Sequence, residues 1–159
     1  MSELSSFDEQ LRLHGRIIYT NVGCSMMPLI KEGRDVMIIE RPEGRLKKYD
    51  IPLYVRRSGQ YVLHRILEVR EDSYVISGDN CSTREVVSDD QIIGVLTGII
   101  RRGKTLSLDR LSYRVYTHLW CDLFPIRAFI IRWRDRLRSL ASRLLRRFGL
   151  RKNTPTGKT

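Results

Sequence analysis

Short blocks of apolar residues alternate with polar turn residues through the middle of the chain, a pattern that predicts β-strands. Six blocks are rich in β-branched and aromatic residues, at positions 17–19, 36–39, 53–55, 61–69, 74–76 and 92–100. Glycine, aspartate, asparagine and serine occupy the gaps between them. Strands of this length and spacing favour a small, coiled, antiparallel sheet or partial barrel over residues 16–104.

Both ends of the chain have a helical period instead. Residues 1–15 predict a short N-terminal helix. Its apolar side consists of Leu4, Phe7 and Leu11. Residues 105–150 predict two amphipathic helices with a break at Phe124-Pro125, because proline cannot continue the first helix. The expected fold class is therefore mainly β with a helical C-terminal appendage, and residues 151–159 form a flexible tail.

Composition limits the size of the protein and locates its charge. The chain has 159 residues, enough for one domain with an appendage but too few for two enzymatic domains. Apolar residues make up 42% and charged residues 30%, which excludes disorder of the whole chain. Residues 1–100 hold 13 basic and 15 acidic groups, whereas residues 101–159 hold 16 and 3. The net charge of +11 therefore comes from the appendage.

The cysteines and histidines argue against metal sites and disulfides. The three cysteines form no CxxC pair and the three histidines lie far apart, so we expect no metal and no cofactor. The odd cysteine count favours a reducing compartment. The polar N-terminus lacks the apolar run of a signal peptide, and no stretch reaches the roughly 18 apolar residues that span a bilayer.

Three residues could form a nucleophilic site. Ser25 follows a small-residue turn that could expose its hydroxyl, although serines near glycine more often cap turns. His64 lies in an apolar run, where a half-buried imidazole titrates near neutrality and could act as a general base. Asp79 lies on a predicted turn and could hold that imidazole in one tautomer, or could be a plain turn residue.

The combination of these motifs resembles the type I signal peptidase family, within the wider signal peptidase and LexA-like peptidase superfamily. The resemblance covers residues 16–102 and keeps the order and spacing of the family motifs. The matching segments are Gly23-Cys-Ser-Met-Met-Pro28, Gly33-Arg-Asp35-Val, Lys48-Tyr-Asp50-Ile, His64-Arg65 and Gly78-Asp-Asn80.

The resemblance implies a serine endopeptidase with a small β catalytic domain and a shallow apolar groove. Ser25 would be the nucleophile and His64 the general base, at a position where bacterial members mostly carry lysine. Asp79 would be the supporting acid, with Glu85 as the alternative because the endoplasmic-reticulum branch places a second acid soon after this turn. The groove and oxyanion hole would involve Gly23, Met26, Met27 and Pro28. The two methionines would equally suit core packing.

The sequence departs from the family pattern at several points. The family usually has a transmembrane helix just before the serine motif, and this chain has no such run there. Arg34 separates Gly33 from Asp35, which the family usually joins directly. Gly23 lacks the hydroxyl that some members contribute to the oxyanion hole, so the hole would rely on backbone N–H groups, including that of Ser25.

The basic appendage has three possible roles. It could lie on an anionic membrane surface, it could pack on the β domain or a partner, or it could bind nucleic acid, which we favour least. The membrane-contact candidates are Trp120, Phe124, Phe129, Trp133, Arg132 and Arg136. Arginine-rich helices favour the cytoplasmic leaflet, so we expect a cytoplasmic protein on the inner face of the membrane.

The function expected from the sequence is thus a serine endopeptidase that cleaves a leader or precursor peptide at a membrane surface. The alternative is a catalytically silent relative that binds peptides or recruits a partner at the membrane. A self-cleaving LexA-like regulator is discounted, because the roughly fifteen residues before the β region are too few for a helix-turn-helix.

Overall fold

Two antiparallel sheets form the body of the protein in the computed structural model, which describes residues 7–20, 23–106, 108 and 110–147. The first sheet contains β1 (Arg16–Thr20), β2 (Asp35–Glu40), β3 (Pro52–Val55), β4 (Tyr61–Leu63), β8 (Ile92–Arg101) and β9 (Lys104–Leu106). The second contains β5 (Arg65–Val69), β6 (Ser73–Ser77) and β7 (Glu85–Ser88). A single 3-10 turn, Asp89–Gln91, leads from β7 into β8.

The first sheet curls into a half-barrel around its longest strand. Its strand order is β1-β2-β8-β3-β4, and β9 folds back onto β8. The pairing of β8 shifts register between Ile38 and Ile39 of β2 and again between Leu53 and Tyr54 of β3. Such bulges bend a strand and increase its twist, which accounts for the curl of the sheet.

Three helices pack on this body: α1 (Phe7–His14), α2 (Leu111–Asp122) and α3 (Phe124–Arg147). The helix α1 inserts Leu11 into the core of the first sheet. Pro125 lies in the first turn of α3, where its missing N–H costs no helical hydrogen bond. Among the described helices, none is both long enough and apolar enough to cross a bilayer.

Buried apolar side chains form three clusters, each of which ties different elements together. The cluster under the half-barrel includes Met26, Ile30 and Ile99. A second cluster, around Tyr54 and Ile76, joins the two sheets. The third fastens the helices to β5, and it consists of Leu67, Cys121, Phe124 and Ala128. The helices are therefore part of the packed structure and not a separate arm.

The structure confirms the coiled antiparallel sheet and the two C-terminal helices, and it corrects several details. Helices and strands have similar shares of the described chain, so the fold is mixed instead of mainly β. The predicted strand 61–69 is interrupted at His64 and serves two sheets. The strands β7 and β9 were not predicted, and β9 extends the sheet to Leu106. Leu4 and the predicted tail at 151–159 lie outside the described residues.

Candidate active site

Ser25 lies in the loop between β1 and β2, which is held in place from both sides. Gly23 has a φ of +105°, a left-handed conformation that favours glycine over residues with a Cβ. Met26 is only 1% exposed and anchors the loop in the core immediately after Ser25. Ser25 itself is half-buried, between the exposed Cys24 and this buried methionine.

Asn80 fixes the two peptide groups that flank Ser25, one before it and one after it. Its backbone N–H donates to the carbonyl oxygen of Ser25 at 2.7 Å, and its side-chain amide donates to that of Cys24 at 3.1 Å. The amide oxygen of Asn80 in turn accepts from Arg134 of α3 at 2.7 Å. The conformation at Ser25 is therefore set by the turn after β6 and by a helix much later in the chain.

His64 lies where the chain passes from one sheet to the other. It is 6% exposed, and its backbone N–H donates to the carbonyl oxygen of Pro52 at 3.4 Å. The ring nitrogen Nδ1 lies 3.1 Å from Oε1 of Glu85 and 3.2 Å from the hydroxyl oxygen of Tyr54. The imidazole is thus oriented through Nδ1, which leaves Nε2 for other partners.

Glu85 is kept ionised by the groups around it. The hydroxyl of Tyr54 donates to Oε1 at 2.5 Å, and Arg56 donates to both carboxylate oxygens at 2.8 and 2.9 Å. Burial acts to raise the pKa of Glu85, but the hydrogen bonds from Arg56 and Tyr54 outweigh it and lower that pKa. An ionised carboxylate can only accept, so His64 Nδ1 carries the proton and Nε2 carries the lone pair.

The imidazole of His64 is also favoured in its neutral form, with a proton on Nδ1 only. Burial disfavours the charged imidazolium and is the largest influence on its pKa, while Glu85 opposes the effect. The net result is a pKa below the usual 6.5. A neutral imidazole with its lone pair on Nε2 has the form that a general base requires.

Gly78 brings Ser25 and His64 together. A Cβ at this position would lie 2.6 Å from the carbonyl oxygen of Ser25 and 2.9 Å from Nε2 of His64. Only a residue without a side chain lets the two groups approach this closely. The hydroxyl of Ser25 makes no hydrogen bond with His64 or with another described residue. In free enzymes the hydrogen bond between nucleophile and base often forms only when substrate binds.

Ser25 and His64 open into the same cavity, which has a volume of about 410 Å³. Its other walls are Phe7, Tyr19, Met37, Ile39, Leu53, Arg56, Gln60, Tyr61, Val62, Leu63 and Cys81. Phe7 of α1 makes edge-on ring contacts with Tyr19 and with Tyr61, each with centroids 4.9 Å apart. The cavity is a mostly apolar cleft of the first sheet with an aromatic rim at one end.

The groove residues expected from the sequence lie elsewhere. Met26 points into the core, so the prediction that it borders the groove is wrong. Met27 and Pro28 line a different groove, beside α2 and α3. Among the described residues, the backbone N–H of Ser25 donates no hydrogen bond to the backbone, and its role in an oxyanion hole stays a prediction.

Asp79, the predicted supporting acid, is directed away from His64. Its carboxylate accepts two hydrogen bonds from Arg65, at 2.8 and 2.9 Å, and one from the hydroxyl of Tyr116 at 2.9 Å. Its carbonyl oxygen accepts from Trp120 at 2.7 Å. The acid that contacts the imidazole is Glu85, the alternative that the sequence left open.

Two of the predicted membrane contacts face the body of the protein. Phe124 is buried in the third apolar cluster, and Trp120 is half-buried with its indole N–H bonded to Asp79. The prediction for Phe124 is wrong, because α3 uses this ring to pack on β5, whereas Trp120 bonds to the turn after β6 and also lines the groove beside α2 and α3. The remaining four candidates are exposed: Phe129, Arg132, Trp133 and Arg136.

Sequence analysis missed Tyr54 and Arg56, the residues that hold Glu85. The sequence did indicate that Tyr54 and Arg56 are neighbours, because residues two positions apart at the end of a strand point to the same side of the sheet. A tyrosine and an arginine in that relation suit a shared carboxylate, but nothing in the sequence indicates which acid they meet. No protein-family model, curated protein or solved structure matches this chain, so its function has to be inferred from this geometry.

Proposed function

We propose that this protein is a serine endopeptidase, similar to the type I signal peptidases, that cleaves a leader or precursor peptide. One observation carries the proposal: His64 is bonded through Nδ1 to Glu85, and its Nε2 and the backbone carbonyl of Ser25 both lie against Gly78 at one cleft. A serine, a neutral histidine and an orienting carboxylate, all near one cleft, are the groups that acyl transfer requires.

In the proposed reaction, His64 Nε2 accepts the proton of the Ser25 hydroxyl while Oγ attacks the carbonyl carbon of a peptide bond. Glu85 stabilises the imidazolium that results. The imidazolium then gives this proton to the leaving amine as the C–N bond breaks, which leaves an ester on Ser25. Water attacks that ester, again losing a proton to Nε2, and the peptide acid is released as Ser25 regains its hydrogen.

The cleft favours an extended peptide with apolar side chains. Its walls alternate along strands of the first sheet, so a bound segment lying beside them would place every second side chain into the cleft. Met37, Ile39 and Leu53 supply the apolar depth, while Phe7 and Tyr61 narrow one end. We infer that residues close to the scissile bond are apolar and of limited size.

A comparison of peptide N-termini tests the proposed function directly. Cells that express the wild-type protein, Ser25→Ala or Ser58→Ala would be compared by mass spectrometry, where Ser58 is an exposed serine in the turn between β3 and β4. We expect particular mature N-termini to vanish and their precursors to accumulate in Ser25→Ala alone. Identical profiles in all three, at equal protein levels, would favour the silent relative that binds peptides without cleaving them.

Gly78→Ala should damage the site through crowding alone. The added Cβ would meet the Ser25 carbonyl oxygen, His64 Nε2 and Cys81 Sγ at 2.6 to 2.9 Å, so at least one must move. Since a displacement of about 1 Å can cost roughly 100-fold in rate, we expect kcat/KM to fall by about that factor. Steady-state cleavage of a peptide identified from the N-terminal comparison measures the effect.

Gly98→Ala is the matched control for this substitution. Its Cβ would meet only the side chain of Ile38, whose nearest atom lies at 3.1 Å, and neither residue lines the cleft. We expect near wild-type kcat/KM for Gly98→Ala, and thermal unfolding of both variants reports any general loss of structure. Full activity in Gly78→Ala would contradict the proposed approach of Ser25 and His64.

A further inference from the structure

The second half of α3 extends beyond the body of the protein. Its first turns are buried, with Phe124, Ala128 and Ile131 packed against the body. From Arg132 to Leu145 none of the described side chains is buried. The helix nevertheless remains rich in large apolar residues along this stretch, so its outer half exposes apolar surface that the body does not cover.

These exposed residues form one continuous stripe, which we call the outer face. On α2 and the residue that follows it, its members are Leu111, Val115, Leu119 and Leu123, and on α3 they are Ile126, Phe129, Ile130, Trp133, Leu137, Leu140, Leu144 and Leu145. Each of these side chains is at least 45% exposed. They recur every three or four residues, so they share one side of each helix, opposite the side that packs on the body.

A groove of about 520 Å³ links the outer face to the Ser25 loop. Leu119 of α2 and Leu123, which follows α2, line it together with Ile126 and Ile130 of α3. Its remaining apolar wall consists of Met27, Pro28, Trp120 and Ile131. The apolar surface therefore runs without a break from the exposed half of α3 to within two residues of the proposed nucleophile.

Arginines flank the outer face on both sides, all exposed except the half-buried Arg134. Arg132, Arg136 and Arg143 follow one edge at helical spacing, and Arg134 and Arg138 follow the other. A single acidic residue of α3, Asp135, lies on the opposite side of the helix and is bonded to Arg134 at 2.9 Å. A wide apolar stripe with cationic edges is the pattern of a helix that lies in a lipid interface.

A second copy of the chain fits this surface less well. Six members of the outer face have the 4-3 spacing of a coiled-coil seam: Ile126, Ile130, Trp133, Leu137, Leu140 and Leu144. The positions beside that seam hold Arg134, Arg136 and Arg143, which would repel the same arginines of a second α3. Phe129 and Leu145 also widen the apolar stripe beyond a seam.

We propose that the outer face docks on an anionic lipid bilayer, with α3 lying in the plane of the interface. Trp133 and the leucines that follow it enter the acyl boundary, and the flanking arginines contact the phosphate groups of the lipids. The groove at Met27 and Pro28 then faces the lipid, which holds the Ser25 loop at the bilayer surface. The proposal does not depend on peptidase activity. The cytoplasmic leaflet expected from the sequence stays a prediction.

Sedimentation with vesicles tests this docking with the full chain. Wild type should sediment with vesicles of phosphatidylcholine and phosphatidylglycerol and stay in the supernatant with phosphatidylcholine alone. Ile130→Ser with Trp133→Ser should lose binding, because it removes apolar area without changing charge. Leu13→Ser, at an exposed leucine of α1, is the matched control and should bind as wild type does.

The arginines and the tryptophan give two further readouts. Arg136→Gln with Arg143→Gln should bind anionic vesicles about 25-fold more weakly, at roughly fivefold for each arginine. The control pair Arg12→Gln with Arg57→Gln, at exposed arginines of α1 and the turn after β3, should change binding little. Tryptophan fluorescence should shift to the blue on binding, and Trp133→Phe should reduce that shift to the part that comes from Trp120 in the groove.

Four outcomes would overturn the proposal. In the first, wild type remains in the supernatant with anionic vesicles. In the second, the Ile130/Trp133 variant sediments as wild type does, which would show that charge alone causes the binding. A dimer that the same variant dissociates, with no vesicle binding, would assign the outer face to a second copy. Binding to duplex DNA or RNA without vesicle binding would assign the arginines to phosphates of nucleic acid.

Discussion

Ser25→Ala and His64→Ala are each expected to lower kcat/KM for the processed peptide by roughly a million-fold. In the proposed reaction, Ser25 supplies the oxygen that forms the ester, and Nε2 of His64 is the base that receives its proton. Because each is useless without the other, the double variant should lose no more than either single variant. Residual cleavage should be that of a site which only binds and orients the peptide.

The measurement is steady-state cleavage of a synthetic peptide that spans a site lost in the N-terminal comparison. Ser58→Ala is the control for the serine, and thermal unfolding confirms that each variant is folded. Losses that add in the double variant would show that the two residues act separately. Cleavage retained by either single variant would end the assignment of nucleophile or base.

Asp79→Asn is expected to lower stability and Glu85→Gln to lower activity, although each removes one acid near the site. Asp79 is buried with Arg65, whose side chain is also fully buried, and Arg127 lies within 4.0 Å. Two nitrogens of Arg127 have no hydrogen-bond partner among the described residues. Without the Asp79 charge, the buried Arg65 is uncompensated, which typically costs about 3–5 kcal/mol of folding free energy.

Glu85 and its ion-pair partner Arg56 are both partly exposed, and a glutamine can still accept from Tyr54, so the lost charge should cost about 1 kcal/mol or less of folding free energy. Its effect should fall on activity. Without the carboxylate on Nδ1, the tautomer of His64 is no longer fixed, and a comparable change in other serine peptidases costs about 10⁴-fold in rate.

Urea unfolding and peptide cleavage, both measured on the two variants, separate these effects. We expect Asp79→Asn to unfold at much lower urea while its folded fraction keeps measurable activity. Glu85→Gln should unfold close to wild type and be nearly inactive. The reverse pattern would return the orienting role to Asp79, as the resemblance first implied.

The strands and the two residues that share the cleft, Ser25 and His64, could be predicted because their signals are local. The run Val36–Ile39 is continuously apolar and mostly β-branched, and small residues precede Ser25 while apolar residues surround His64. The choice of acid could not be predicted in this way. Glu85 reaches His64 because β6 and β7 pair Ile76 with Glu85, and that register is set by tertiary contacts.

The helices show a different limit of the sequence pattern. Periodicity indicated an apolar face on α3 but treated all of its apolar residues as one surface. In the structure the first turns carry two such surfaces: Ala128 and Ile131 point into the body, and Ile126 and Ile130 point outward. Which ring packs inward, as Phe124 does, depends on where the helix meets β5.

The hydrogen bonds at Asn80 couple the position of α3 to the conformation of the backbone at Ser25. Arg134 is bonded to the side chain of Asn80, and Asn80 is bonded to the peptide groups at Ser25. From Arg134 the helix continues to Arg147, a lever arm of about 20 Å at 1.5 Å per residue. A tilt at the far end of that arm therefore reaches the peptide plane of the nucleophile through only two hydrogen bonds.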